Sequence, residues 1–370
     1  MKPCKRQAAA YTRPLPSNVI LVAVDDGGQS RAREPLDIEQ HDELLAYLRT
    51  AGYITRRESP RFTTLPGGIS SRTVLVQRPS GGDWVIKQSL AKLRVDVDWY
   101  SDPVRIHREA SGIRWLRQLV PPACVPELVF EDHEQHLIAM NAVPQPHANW
   151  KAMLLSGGVE LAHVRQFGHL LGVIHRRGSE RLVEIASVFE DRSFFESLRV
   201  EPYYVYTASQ MPASQSFMTQ VVDSVRRRRL TLVHGDYSPK NILVHGGRMT
   251  LLDHEVIHFG DPAFDLGFSM AHFLSKAHHM VSHRREFTAA ALVHWEEYCE
   301  ALGNPGWAAD LEEHAVRNTL GCLLARVAGR SRLEYLSEVE RDRQRDVVLG
   351  LMHKTPVAVT DLVSAFTRKL

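Results

Sequence analysis

Apolar residues along this chain recur in two ways, and the changeover between them divides it. From Arg61 to Val143 they come in short runs bounded by Gly, Pro or Asp, at 62–65, 73–77, 84–87, 128–130 and 137–140, which predicts five short strands. The segment 103–119 breaks that rhythm with apolar positions at helical spacing, so a helix is inserted after the third strand. Past Pro144 and Pro146 the helical period takes over, at 150–155, 159–175 and 214–229, and again almost without interruption from Ala263 to Leu370. Inside that region residues 231–233 and 242–245 read as a β pair, and Gly246-Gly247 turns the chain into a further strand at 249–252. Residues 1–17 are basic and patternless, 19–24 form an apolar run stopped at Asp25-Asp26-Gly27-Gly28, and Asp37 offers an N-cap to a helix over 38–51 carrying Leu44, Leu45 and Leu48.

The expected fold class is therefore α+β. A small five-stranded antiparallel lobe with one helix precedes a larger, mainly helical lobe. The expected boundaries are an N-terminal extension at 1–36, a first lobe at 37–143 and a second at 144–370.

Length and composition add exclusions. At 370 residues the chain exceeds what one hydrophobic core comfortably serves, which agrees with two lobes. With 44% hydrophobic and 24% charged residues it is neither disordered nor fibrous, and a net charge of +2 carries no nucleic-acid footprint. The four cysteines lie far apart without a C-x-x-C pair, so neither a zinc knuckle nor a disulfide framework is indicated. Arg13 interrupts any signal-peptide core and no window holds 18 apolar residues, so the expectation is a cytoplasmic protein without a membrane span, monomeric or homodimeric.

The chemistry concentrates in one segment, His234-Gly235-Asp236-Tyr237-Ser238-Pro239-Lys240-Asn241, flanked by apolar strands and followed after a tight turn by Asp253-His254-Glu255. Phosphoryl transfer needs a carboxylate to orient the attacking hydroxyl and hard oxygen ligands to hold Mg²⁺ against the phosphates. A loop Asp, an Asn five residues on, and another Asp across a hairpin supply that set. Upstream, Pro66-Gly67-Gly68-Ile69-Ser70-Ser71 lies between the first two strands as a glycine turn open to phosphates. Lys87 ends the third strand, and Glu109 sits on the inserted helix where it could pair with Lys87. Residues 140–144 fall at the lobe junction.

These residues resemble, in order and spacing, the aminoglycoside phosphotransferase and choline kinase family, the small-molecule branch of the protein-kinase-like fold. The resemblance covers roughly 60–275 and is carried by His234-Gly235-Asp236, Asn241, Asp253 and Gly260-Asp261-Pro262-Ala263-Phe264-Asp265. It implies an ATP-dependent kinase that phosphorylates a hydroxyl of a small molecule: a sugar, a methylthioribose-like compound, or an aminoglycoside or other antibiotic. By the same resemblance Asp236 is the catalytic base, and Asn241, Asp253 and Glu255 are the Mg²⁺ ligands. Gly67, Gly68, Ser70, Ser71, Lys87, Glu109, Met140, Ala142 and Ser238 belong to the ATP site. Lys87-Gln88-Ser89-Leu90 with Arg94, and Glu201-Pro202-Tyr203-Tyr204, are similar to methylthioribose kinase. Ser238 and Asp253-His254-Glu255 stand where protein kinases carry Lys and Asp-Phe-Gly, and no activation segment follows, which argues against a protein substrate.

Rival readings attach to the same residues. His254-Glu255-Val256-Ile257-His258 fits H-E-x-x-H, a zinc hydrolase pattern, yet that chemistry needs a helix and here the pattern follows a strand and meets Gly260-Asp261-Pro262. A non-catalytic nucleotide-binding regulator is the other alternative. Asp265 reads as a structural tie to the catalytic loop, 226–229 as a solvated arginine face, and His278, His279 and His283 as helix-surface residues. Arg317, Arg326 and Arg330 are candidate acceptor contacts.

Overall fold

The computed structural model describes residues 36–66, 68–94 and 99–370. The run expected at 19–24, the extension 1–35 and Gly67 lie outside the described residues. Helix α1 (His41–Thr50) starts three residues later than its apolar pattern, because the Asp37 carboxylate accepts the Glu39 N–H at 2.9 Å and closes a turn first. The sheet follows: β1 (Arg61–Thr64), β2 (Ser71–Gln77), β3 (Trp84–Ser89), β4 (Leu128–Asp132) and β5 (Leu137–Asn141), in the order β1-β2-β3-β5-β4, with α2 (Arg105–Leu119) crossing between β3 and β4. Every pairing in it is antiparallel, and register places Lys87 opposite Thr73 on one side and Ile138 on the other. One face of the sheet packs with α1 through Val74, Val76, Ile86, Leu44 and Leu48.

Helix α2 packs deeply despite a weak amphipathic pattern. Gly112 lets it: a Cβ there would lie 2.8 Å from the His254 Cβ and 3.0 Å from the Ile257 Cγ2. That close approach sets Arg105 and Glu109, both buried, against the 253–257 turn.

After β6 (Ala148–Asn149), the chain enters α3 (Trp150–Leu155), which Asn149 caps by accepting the Ala152 N–H, then α4 (Leu161–Ser179) and α5 (Leu182–Phe189). Next, α6 (Ser193–Phe195) continues into a π-helical stretch Glu196–Val205 containing Pro202, and α7 (Tyr206–Gln210) completes it. Proline lacks an N–H, and a wider π turn absorbs that loss without a break. Helix α8 (Gln215–Arg227) leads to β7 (Thr231–Val233), β8 (Ile242–His245), β9 (Arg248–Leu251) and β10 (His258–Gly260).

One pairing differs from expectation. β7 pairs with β10, while β8 pairs with β9 and β6. The two ends of the 234–241 loop therefore belong to different small sheets, and the loop bridges them. Helices α9 (Pro262–His279), α10 (Arg284–Leu302), α11 (Leu311–Ala328), α12 (Glu338–His353) and α13 (Val359–Arg368) pack around one apolar core that also takes in α2 and α4. Asp261 caps α9 through the Ala263 N–H, with Pro262 in the first turn, and Ser337 with Glu340 forms a capping box on α12. Among the described residues, no helix is long and apolar enough to cross a membrane. His278, expected on a surface, is buried and its Nε2 meets the Glu340 carbonyl at 2.9 Å.

Candidate active site

The bridge between β7 and β8 is shaped by a buried carboxylate. Asp265, on α9, accepts the His234 N–H at 2.7 Å and the Gly235 N–H at 2.8 Å, and His175 closes on it at 3.2 Å. Asp265 is thus the structural tie its position suggested. The Asp236 N–H then donates to His234 Nδ1 at 3.2 Å, which leaves His234 Nε2 to donate to His254 Nδ1 at 3.0 Å. Burial pushes both imidazoles below their ordinary pKa, so the chain is neutral and fixes one tautomer of each. It also locks the 253–257 turn to the Asp236 loop.

With the backbone so held, Asp236 presents its carboxylate to two donors. Asn241 Nδ2 donates to Oδ2 at 2.7 Å, and Arg199 Nη2 lies 3.0 Å from the same oxygen. The Asn241 amide nitrogen is thereby spent, and its carbonyl oxygen is the group left for a cation. Arg199 also donates to the Gly235 carbonyl at 2.9 Å. Burial works against its charge, but Asp236, Tyr203, Glu255 and Asp253 together outweigh it, and its pKa stands above the ordinary value. No sequence signal marked Arg199; it reaches the site from the π-helical stretch.

Asp253 sits at φ 67°, the left-handed region that only Asn, Asp and Gly tolerate well. Its Oδ1 lies 2.9 Å from Lys87 Nζ, which also donates to both Glu109 oxygens at 2.8 and 2.7 Å. One ammonium thus faces three acids, since Glu255 is also close enough to act on it. Burial opposes the Lys87 charge, but Asp253, Glu109 and Glu255 outweigh it and raise the pKa. Burial drives Glu109 up to about 7 despite Lys87, while for Asp253 the surrounding Lys87, Lys240 and Arg199 outweigh burial and hold it well below the ordinary range. The cluster is short of positive charge.

Glu255 is engaged by Arg105, whose Nε donates to its Oε2 at 3.0 Å. The fully buried Arg105 also donates to the carbonyls of Leu90 at 2.8 Å, Ser101 at 3.0 Å and Ser70. One guanidinium therefore ties the glycine turn, the end of β3 and the metal-side turn together. In that turn Gly68 admits no side chain, because a Cβ would fall 2.3 Å from the Ser71 carbonyl oxygen. The Ser71 hydroxyl is buried and has no hydrogen-bond partner among the described residues.

Behind the wall of one cleft of about 1400 Å³ lie Arg105, His234, His254 and Asp265, and the groups they hold line it. Gly68, Ser70, Ser71, Lys87 and Glu109 meet Asp236, Ser238, Asn241, Asp253 and Glu255 in it, and Met140 and Ala142 line it as well. The Ala142 N–H is already given to the Asp83 carbonyl at 2.8 Å. Another end of the same cleft is lined by Arg326, Arg330, Arg332 and Lys151, against Glu334, which is paired with Lys151. The Tyr203 ring lies between two guanidiniums, Arg199 at 5.8 Å and Arg326 at 4.9 Å, and so links the Asp236 region to that end.

Other sequence candidates lie elsewhere. Arg317 stacks on Phe217 at 4.6 Å outside the cleft lining, and Arg94 forms a surface pair with Glu39. Arg226, Arg228 and Arg229 pair with Glu196, Asp310 and Glu190. The H-E-x-x-H residues do not converge: His254 serves His234, Glu255 serves Arg105, and His258, in β10, stacks on Phe195.

Comparison with known proteins identifies the family. Residues 61–309 match the model of the phosphotransferase enzyme family. A methylthioribose kinase of Oryza sativa subsp. japonica is 24% identical over 271 residues, and the match spans 65% of this chain and 62% of that protein, just under two thirds of its length. Among solved structures, an amicoumacin kinase in complex with AMP-PNP, Ca2+ and Ami aligns with a TM-score of 0.56 at 15% identity, covering 87% of this chain and 98% of that one. An ethanolamine kinase of Plasmodium vivax aligns with a TM-score of 0.52 at 11% identity, covering 90% and 89%. The protein-kinase-like α+β fold is shared with both.

Proposed function

This chain belongs to the phosphotransferase enzyme family, and from that premise we propose that it transfers the γ-phosphoryl group of ATP to a hydroxyl of a small molecule. The observation that carries the reading is the meeting of Asp236, Asn241, Asp253 and the Lys87–Glu109 pair in one cleft. Their chemistry fits Mg²⁺ and a nucleotide. Asp253 and the free amide oxygen of Asn241 are hard oxygen donors, and three acids around a single ammonium favour the arrival of a cation. The unpartnered Ser71 hydroxyl beside the glycine turn is a ready donor to phosphate. Bound Mg²⁺·ATP would supply the electrophilic phosphorus and neutralise charge in transfer.

Each side chain then has a defined task. Lys87, held by Glu109, orients the α- and β-phosphates. Asn241 and Asp253 hold the metal, and Glu255, fixed by Arg105, adds a further carboxylate to that side. Asp236 accepts the hydrogen bond of the acceptor hydroxyl and takes its proton as transfer proceeds. Arg199, 3.0 Å from Oδ2, keeps that carboxylate aimed.

The acceptor end supports a sugar-like or anionic acceptor over a polycationic aminoglycoside. Arg326 donates to Ser331, meets the His272 imidazole and lies over the Tyr203 and Phe268 rings, with no carboxylate in hydrogen-bond or ion-pair contact among the described residues. Behind it the fully buried Lys276 is pushed down to about 7 by burial, with Lys151 and Arg326 adding repulsion. A further cation would be repelled there. A screen of ADP release over sugars, nucleosides, amino alcohols and aminoglycosides tests this reading. Sugar-dependent release supports it, and exclusive use of aminoglycosides would refute the acceptor assignment. ATP binding without turnover on any acceptor would favour a regulator.

A further inference from the structure

A second cluster of ligating groups lies away from the cleft, where α2 passes the end of β4. His107 comes from α2, and Glu131 and His133 from β4 and the turn after it. Ligand atoms of these three residues all lie within 4.8 Å of one another. Two imidazoles converge on a single carboxylate oxygen: His107 Nδ1 is 2.7 Å and His133 Nε2 3.4 Å from Glu131 Oε1. Their rings stack face to face, with centroids 3.9 Å apart at 12°.

We propose that His107, Glu131 and His133 form a binding site for one divalent transition-metal ion of the zinc type. Zinc holds imidazole nitrogen and carboxylate oxygen at about 2.0–2.2 Å, so neighbouring ligand atoms in a tetrahedral shell stand roughly 3.3 Å apart. The 2.7 and 3.4 Å separations from Oε1 bracket that value; the stacked rings send their in-plane lone pairs along nearly parallel lines, so His133 must rotate out of the stack to share an ion with His107. His133, whose side chain is 73% exposed, has solvent space for that rotation. A fourth position remains for water.

The surroundings are those a metal site needs. Ligating histidines ordinarily give their second nitrogen to a fixed partner, and His107 Nε2 lies 3.3 Å from His136 Nδ1. The other Glu131 oxygen is taken by Arg114, which orients the carboxylate and leaves Oε1 for the ion. These residues are not those of the H-E-x-x-H pattern.

The position gives the site a consequence. His107 lies two residues before Glu109 on the same helix, so an ion there clamps the helix that holds Lys87 to the sheet. It rests on no assumption about the reaction.

Calorimetric titration of the full-length, chelator-stripped protein with Zn²⁺ tests the proposal, with Co²⁺ absorption as a spectroscopic check. The expected result is one equivalent bound, with affinity at least 10-fold weaker in His133→Ala and in His107→Gln and unchanged in Asp253→Asn. The visible Co²⁺ band of a low-symmetry N/O site should disappear in His133→Ala. Because His133 is exposed, that variant keeps its fold and the comparison remains decisive. Absence of stoichiometric binding, binding undiminished in His133→Ala, or binding lost in Asp253→Asn would each overturn it.

Discussion

Arg199 Nη2 lies 3.0 Å from Asp236 Oδ2, so the carboxylate that would meet the acceptor is held by a buried guanidinium from a helix 36 residues upstream of Gly235. Replacing Arg199 by Ala leaves the nucleotide groups Lys87, Asn241 and Asp253 in place but frees the Asp236 side chain. We expect kcat to fall about 10- to 100-fold with little change in KM for ATP, since misaimed general bases typically cost that much. Steady-state kinetics at saturating acceptor check this. A rise in ATP KM with unchanged kcat would place Arg199 at the nucleotide instead.

A pH dependence follows from Glu109, pushed by burial from an ordinary 4.5 up to about 7. Between those values the folded chain keeps a proton that the unfolded chain gives up. Stability from this group is full below about pH 4.5 and is lost as pH rises through about 7, by on the order of 3 kcal/mol. His258 and His294, held down to about 3 by burial, act the other way and remove stability as pH falls below about 6.5. Comparing wild type with Glu109→Gln isolates the first effect: the variant should lose less Tm between pH 5 and 8. Parallel Tm curves would contradict the assignment.

Gly112→Ala pits helix propensity against space. Alanine gains up to about 1 kcal/mol in a helix interior. The new Cβ, 2.8 Å from the His254 Cβ, forces a shift that costs about 1–3 kcal/mol. The net expectation is a lower Tm together with a higher ATP KM, because α2 carries Glu109. An unchanged or higher Tm would show that the helix can yield.

Much of this was legible in the sequence. Asp236, Asn241 and Asp253 share one short segment whose apolar flanks announce strands, and Lys87 ends a run with strand period. The five-stranded sheet and its inserted helix could be read for the same reason. Arg199 and Arg105 could not. Arg105 meets Glu255 across 150 positions, and Arg199 sits in a segment where Pro202 and a π-helical turn erase the 3.6-residue period. The β7–β10 pairing was hidden because three-residue strands leave no alternation to detect, and His258 drew attention as part of a motif rather than as a strand residue.

At the other end of the cleft, Arg326→Ala should raise the acceptor KM by 10-fold or more and leave the ATP KM within twofold. Arg326 stacks on Tyr203 and Phe268 and meets no carboxylate among its described partners. Equal effects on both substrates would mean that its loss disturbs the fold around α11 rather than acceptor binding.

The central claim is that Asp236 serves the acceptor hydroxyl while the nucleotide is held by other residues. The direct measurement is ADP release with an acceptor found by screening, in wild type and Asp236→Asn, with ATP affinity measured on the same samples. The account predicts a rate at least 100-fold lower in the variant with ATP affinity within about threefold of wild type. Turnover undiminished in Asp236→Asn would contradict it.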